Sequence, residues 1–336
     1  MLDERKTAIL RAVVQEYIAT AQPVGSTHVA NAPGVQVSSA TVRNEMAVLE
    51  QEGYLAQPHT SAGRVPTDKG YRFYVDHMAT PGRLEAGAQQ RVGEFFDTAH
   101  GRLEELLHQT TNLLAQVTHH AALVVGPPAQ SAIVRSVQVV SLSTRTAAVV
   151  AVLSNGQVEN EVIELPLDTS DIRLAAVTAH LQAHMTGRAL DGSVSKVPAT
   201  GDRELDALCD TATAALRPDT EESVFVGGAS SMAQAFDTVD TVRSVLRTLE
   251  QQYVMVSLVR DILNRGLSVA IGTEHGIEPL AACSVVVKPV VVDGEQVGTV
   301  GVLGPTRMDY PQALATVEAV SDRLGRRLSD GGAGNG

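Results

Sequence analysis

The sequence predicts a multidomain α+β chain, with an N-terminal winged helix-turn-helix followed by an α+β domain that an insertion interrupts. Three observations predict it. Residues 1–80 show helical periodicity broken by short turns and close on a hairpin signal. From Ile133 the apolar period switches from helix to strand, returns to helix after Asp171 and to strand again from Leu267. The chain has 336 residues, 44% hydrophobic and 19% charged, enough core for two or three domains at about 150 residues each.

In the first region Ile9, Leu10, Val13, Val14, Tyr17 and Ile18 recur in pairs every four residues, one face of a helix that Asp3 caps. Pro23-Val24-Gly25 breaks it, Ser26 to Asn31 makes a short second helix, and Pro33-Gly34 ends that. Ser38 and Ser39 offer caps for a third helix that stops at Gly53. Tyr54 to Thr67 sets Thr60-Ser61-Ala62-Gly63 between two short extended stretches, a small hairpin. Thr67 caps a fourth helix with Tyr71, Tyr74, Val75 and Met78 on one side, and Thr80-Pro81-Gly82 marks the boundary.

Beyond that boundary, residues 81–120 carry a heptad seam: Val92, Phe96, Ala99, Leu103, Leu106, Thr110, Leu113 and Val117. The pattern suits one long helix, weakened at Gly101. It fits a helix laid lengthwise on the next domain better than a helix paired with its twin. Strands follow at 133–142, 147–153 and 157–165, the last two joined by the turn Asn155-Gly156. A mostly helical stretch, one strand at 223–226 and two further helices lead to strands at 267–271, 281–292 and 296–303. A last amphipathic helix spans 311–328, and Asp330 to Gly336 reads as a loose tail, its final residues 331–336 disordered.

Composition excludes several classes. The longest apolar run, Ala147 to Leu153, has seven residues, against the ~20 of a membrane-spanning helix. The first residues, Met1-Leu2-Asp3-Glu4-Arg5-Lys6, lack the layout of a secretory signal, so a cytoplasmic protein without membrane partners is expected. Two cysteines, Cys209 and Cys283, rule out a disulfide framework. His180 and His184 are spaced four apart but lack a third ligand, and Gly298, Gly301 and Gly304 depart from the dinucleotide pattern. Arg307 and Asp309 suit an ion pair that fixes the turn after the last strand. No serine sits in GxSxG, so neither an enzyme nor a metal or other cofactor is expected.

Charge permits polyanion contact at the N-terminus. Net charge is −12, yet residues 1–80 hold seven Lys/Arg and eight Asp/Glu, while the other 256 residues hold 19 and 30. In the third helix Val42, Met46 and Leu49 fall on one face, which turns Ala40 and Asn44 outward and puts Thr41 and Arg43 on the flanks. Arg can bridge guanine and Asn can bridge adenine, so Thr41, Arg43 and Asn44 are the candidates for base edges of duplex DNA. Ser38, Ser39, the hairpin tip His59, Thr60 and Arg64, and then Lys69 and Arg72, are the candidates for phosphates.

These residues also carry a resemblance. Pro23 to Ser26, Ser38 to Met46, Gln57 to Thr67 and Gly70-Tyr71-Arg72 resemble the heat-inducible transcription repressor family, HrcA, as does Gly301 to Tyr310 near the end. One departure is Thr27-His28, where that family usually carries a basic residue after the serine. The resemblance covers nearly the whole chain. It implies a homodimeric repressor of chaperone operons that binds an inverted-repeat operator, CIRCE, and is kept active by the chaperonin GroEL. It also implies a winged-helix domain at 1–80, a linker helix at 81–120, and a GAF-like domain at 121–165 and 251–330, with a dimerising domain inserted at 166–250. A winged-helix repressor that senses a small molecule in the GAF-like domain is the alternative.

Overall fold

Asp3, Ser38 and Thr67 each accept a hydrogen bond from a backbone N–H three residues on, and helices begin there. The computed structural model describes residues 2–333 apart from 60–61, 80–81, 83, 100–102, 127–132, 155–157, 166–167, 190–196, 217–223, 233–234, 237 and 293. The first domain contains α1 (Glu4–Thr20), α2 (Ser26–Ala30), α3 (Ser39–Gln51), the strands β1 (Leu55–Ala56) and β2 (Val65–Pro66), and α4 (Asp68–His77). Val42, Met46 and Leu49 are buried in one cluster with Ile9, Leu10 and Val13 of α1. β1 and β2 pair antiparallel, and a bridge from Val24 to Arg64 adds a third short strand to the wing. Two glycines permit this closeness. A Cβ on Gly63 would lie 2.3 Å from the Val24 oxygen, and one on Gly70 would lie 2.2 Å from the Tyr54 oxygen.

The seam at 92–117 lies on two helices, α5 (Ala86–Thr98) and α6 (Leu103–Thr118), rather than on one. Val92, Phe96, Leu103, Leu113 and Val117 are buried within this chain, so the seam lies along the following domain and is not left open for a twin. That domain is a five-stranded antiparallel sheet in the order β7-β3-β10-β9-β8. Its strands are β3 (Ala121–Val125), β7 (Val224–Gly227), β8 (Val269–Ile271), β9 (Cys283–Val292) and β10 (Glu295–Pro305). Strand alternation sends Ala122, Val124 and Val302 toward α5, α6 and the last helix, α12 (Tyr310–Ala333). It sends Leu123, Val125 and Leu303 toward α10 (Val239–Leu249) and α11 (Gln252–Asn264). The short α9 (Ala229–Met232) follows β7.

The insertion differs from the expected one. β4 (Val134–Ser143), β5 (Thr146–Leu153) and β6 (Val158–Glu164) form a separate three-stranded sheet, and α7 (Asp171–Met185) and α8 (Arg203–Ala215) cover it. Val137, Val149, Ala151 and Ile163 share a core with Leu174, Leu181, Leu208 and Ala212. The chain therefore leaves the five-stranded sheet after β3 and rejoins it at β7. Residues 133–165, assigned above to the larger domain, belong to the insertion, and β7 and α10 belong to the larger domain. The apolar period identified the strands, but a period of two carries no information on which sheet a strand joins.

Smaller corrections follow the same logic. Asn155-Gly156 lies outside the described residues, although the β5–β6 pairing it was expected to close is present. α12 continues to Ala333, past the Asp330 where a loose tail was expected. Arg307 donates to the Ala235 carbonyl at 3.1 Å, while Asp309 accepts from the Gln312 N–H, so each has another partner. His180 lies against the Pro198 carbonyl, and no metal-binding group of three residues occurs among the described residues.

Candidate nucleic-acid interface

The buried stripe Val42, Met46 and Leu49 fixes which side of α3 faces water. Ser39, Ala40, Arg43 and Asn44 are exposed, and Arg43 and Asn44 make no hydrogen bond or ion pair among the described residues. Thr41 is half-buried. Its hydroxyl sits 3.0 Å from the Ser38 Oγ, which also accepts from the Thr41 N–H, so both hydroxyls are engaged in the cap. The free surface at the N-terminal end of α3 is therefore Ser39, Ala40, Arg43 and Asn44, with small residues beside the two long polar ones.

The glutamates of α3 and of its C-terminal end are neutralised from elsewhere. Glu45 pairs with Arg5 at 3.3 Å, Glu50 with Arg64 at 2.8 Å and Glu52 with Lys6 at 3.5 Å. These pairings, up to 46 residues apart in sequence, leave no local signature. Their effect is to remove negative charge from the neighbourhood of Arg43. Outside α3, the His28 Nε2 lies 2.9 Å from the Glu16 carboxylate.

The wing presents His59 to solvent at its tip, which the Ala62 N–H to His59 carbonyl bond closes, while Thr60 lies outside the described residues. Arg64 lies at the wing's base, held by Glu50. Lys69 donates to the Glu52 carbonyl at 2.7 Å and stands 4.3 Å above the Tyr54 ring, stabilising the C-terminal end of α3. A phosphate would compete with these partners. Arg72 is a correction: it turns toward the five-stranded domain, bonding Glu274 through two nitrogens and the Val269 carbonyl at 2.8 Å. Its periodic position put it beside Lys69, but the partner that captures it lies some 200 residues away.

Glu274 has a lowered pKa. Burial raises it, but hydrogen bonds from Arg72 and the Ile271 N–H more than offset that. A depressed carboxylate contributes stability above its ordinary value of 4.5 and loses that contribution as pH falls through the lowered one. The urea midpoint of the native protein is therefore expected to exceed that of Glu274→Gln at neutral pH. The gap should close in titrations carried below 4.5. A gap independent of pH would mean that the charge on Glu274 contributes nothing.

Comparison with known proteins finds relatives over nearly the whole chain. A family model described as "HrcA protein C terminal domain" matches residues 104–314. The heat-inducible transcription repressor HrcA of Streptomyces avermitilis is 37% identical over 338 residues, covering 98% of this chain and 100% of the relative. That of Symbiobacterium thermophilum is 34% identical, covering 96% and 98%. A crystal structure of a hypothetical protein aligns over 98% of both chains with a TM-score of 0.65 and 24% identity, a likeness of fold.

Proposed function

The chain belongs to the HrcA family of heat-inducible transcription repressors, and from that premise we propose that it represses as a homodimer bound to an inverted-repeat operator, CIRCE, upstream of chaperone operons. The observation that carries the reading is the exposed Arg43 and Asn44, without a partner among the described residues, on a helix whose opposite face is buried and whose glutamates are paired. Arg43 and Asn44 read base edges, and Ser39, the α3 N-terminus and the wing at His59 and Thr60 meet phosphates. Arg64 and Lys69 brace the reader instead, while adding positive charge close to it.

An inverted repeat calls for a two-fold pair of readers. The outer face of the β4–β6 sheet supports the inserted domain as the pairing surface, because Val140, Ala148 and Val162 line up across three strands there. The chaperonin GroEL holds the dimer in its DNA-binding form, and heat, by filling the chaperonin with unfolded clients, relieves repression. Among the described residues no helix is long and apolar enough to cross a membrane. The alternative, a ligand in the larger domain, would use the hollow of about 500 Å³ lined by Leu267, Val287, Leu314 and Val317. Its Lys288 is already paired with Glu318 and Asp322, which disfavours that reading.

The test is a titration of a labelled duplex carrying the repeat against a scrambled one, at two salt concentrations and with and without GroEL. Preference for the repeat by ~10³-fold or more is expected. Equal, salt-sensitive binding to both duplexes even with chaperonin present would overturn the proposal.

A further inference from the structure

The winged-helix domain meets the five-stranded domain through α4, where a buried apolar contact that includes Tyr71, Val269, Ile271 and Tyr310 is flanked by directional polar bonds. Besides the bonds from Arg72 to Glu274 and to the Val269 carbonyl, Asp68 accepts from both the N–H and the hydroxyl of Thr273, each at 3.2 Å. The receiving segment is a single 3₁₀ turn, Gly272–His275, directly after β8. It is shaped for this contact. Gly272 has φ +54°, and a Cβ there would lie 2.3 Å from the Asp68 Oδ2. Glu274 is itself held from its own side, accepting from the Ile271 N–H at 2.9 Å, while Arg265 donates to its carbonyl at 2.9 Å. Beside the polar pairs, the Tyr71 and Tyr310 rings lie 5.9 Å apart.

An ion pair of this kind adds only modestly to stability, and an apolar contact of the same size would hold two domains together as well. What an Arg–carboxylate fork supplies is orientation, because two parallel bonds permit one approach angle. The Arg72 fork and the Asp68 contact with Thr273 lie one helical turn apart on α4, and together they fix a rigid body.

We infer that the α4 contact with Gly272–His275 is a latch that sets the angle of the reading head on the body. In the dimer it thereby sets the separation and facing of the two α3 helices. Asp68, Arg72, Gly272 and Glu274 are positioning residues for half-site spacing, and none of them touches DNA. The inference rests on the operator-binding reading for its consequence on DNA, but not for the rigidity itself.

The experiment uses the full-length protein with spin labels on Gln51→Cys in the head and Gln252→Cys in the body, both exposed positions. The native Cys209 and Cys283 are buried, which raises both thiols and keeps them from the label. Labelled protein is diluted with unlabelled to suppress distances between subunits. A single narrow distance distribution is expected in the native sequence and a broad one in Glu274→Gln and in Asp68→Ala, two independent routes to opening the latch. On duplexes whose half-sites are moved apart by one to four base pairs, the native protein is expected to favour one separation. Both variants should lose about tenfold or more of that preference, while still favouring the half-site over scrambled sequence. Narrow distributions in both variants, or an unchanged spacing preference, would overturn the latch. If the native protein ignored the operator altogether, the functional proposal would fall, and the distance measurement would still decide whether the latch fixes the head.

Discussion

If the chain pairs as proposed, replacing Val162 by aspartate is expected to leave a monomer at micromolar concentration and to lower operator affinity by about 10²–10⁴-fold. Val162 lies in β6, directly across from Ala148, which in turn faces Val140 in β4. Val162 is 65% exposed and Val140 46% in the single chain, and Leu142 on the same strand is 57% exposed. Solvated side chains of this size on one sheet face form the kind of apolar patch that a second copy covers. A charge placed there costs little in the monomer, since surface changes usually fall within about 0.5 kcal/mol. In an interface core it leaves a carboxylate without water or a partner, a penalty of several kcal/mol. Affinity for the operator falls because two linked readers bind as one event and two separate readers do not. Sedimentation velocity and a titration on whole and half operators separate the steps. Affinity for a single half-site should stay constant while the advantage of the whole operator disappears. A Val162→Asp protein that still sediments as a dimer would move the interface away from this sheet.

The reading head was legible in the sequence because its determinants are local. Asp3, Ser38 and Thr67 cap helices within three residues of themselves, and the stripe Val42, Met46 and Leu49 needs only the helical period. Gly63 falls in the turn run of the sequence, but its contact with Val24 is a structural finding. What escaped the sequence are choices of partner. The apolar period marks β4, β5 and β6 as strands but does not say which sheet they join, because the residues that cover them, such as Leu181 and Leu208, come later on helices. The helical period places Arg72 as a surface cation beside Lys69 but does not give its direction, because its partner Glu274 sits at the far end of the chain. Arg5 and Lys6 drew no notice, although they neutralise α3 and its C-terminal end. Each of these depends on a pairing across tens to hundreds of residues that no window of sequence contains.

Among the cations of the head, Arg43 offers the clearest mutational reading. Arg64, Lys69 and Arg72 each have a partner within the chain, so removing any of them changes the fold's own contacts along with the surface. Arg64→Ala, for example, would also uncover the charge of Glu50 beside the reader. Arg43 is exposed and has no partner among the described residues, so Arg43→Ala should leave thermal stability within about 0.5 kcal/mol of the native value. Its loss is then expected at the DNA, on the order of 1–3 kcal/mol on the operator, with relaxed preference at one base pair in each half-site. A phosphate contact behaves differently. It weakens all sequences alike and lowers the salt slope by about one unit. Lys69→Ala should follow that second pattern only weakly, since its ammonium is already bonded to the Glu52 carbonyl over the Tyr54 ring. Titrations of both variants on operator and scrambled duplexes at two salt concentrations distinguish the two patterns. If Arg43→Ala lost affinity equally on both duplexes, Arg43 would be a backbone contact, and the reading of base edges would pass to Asn44 and the small residues before it.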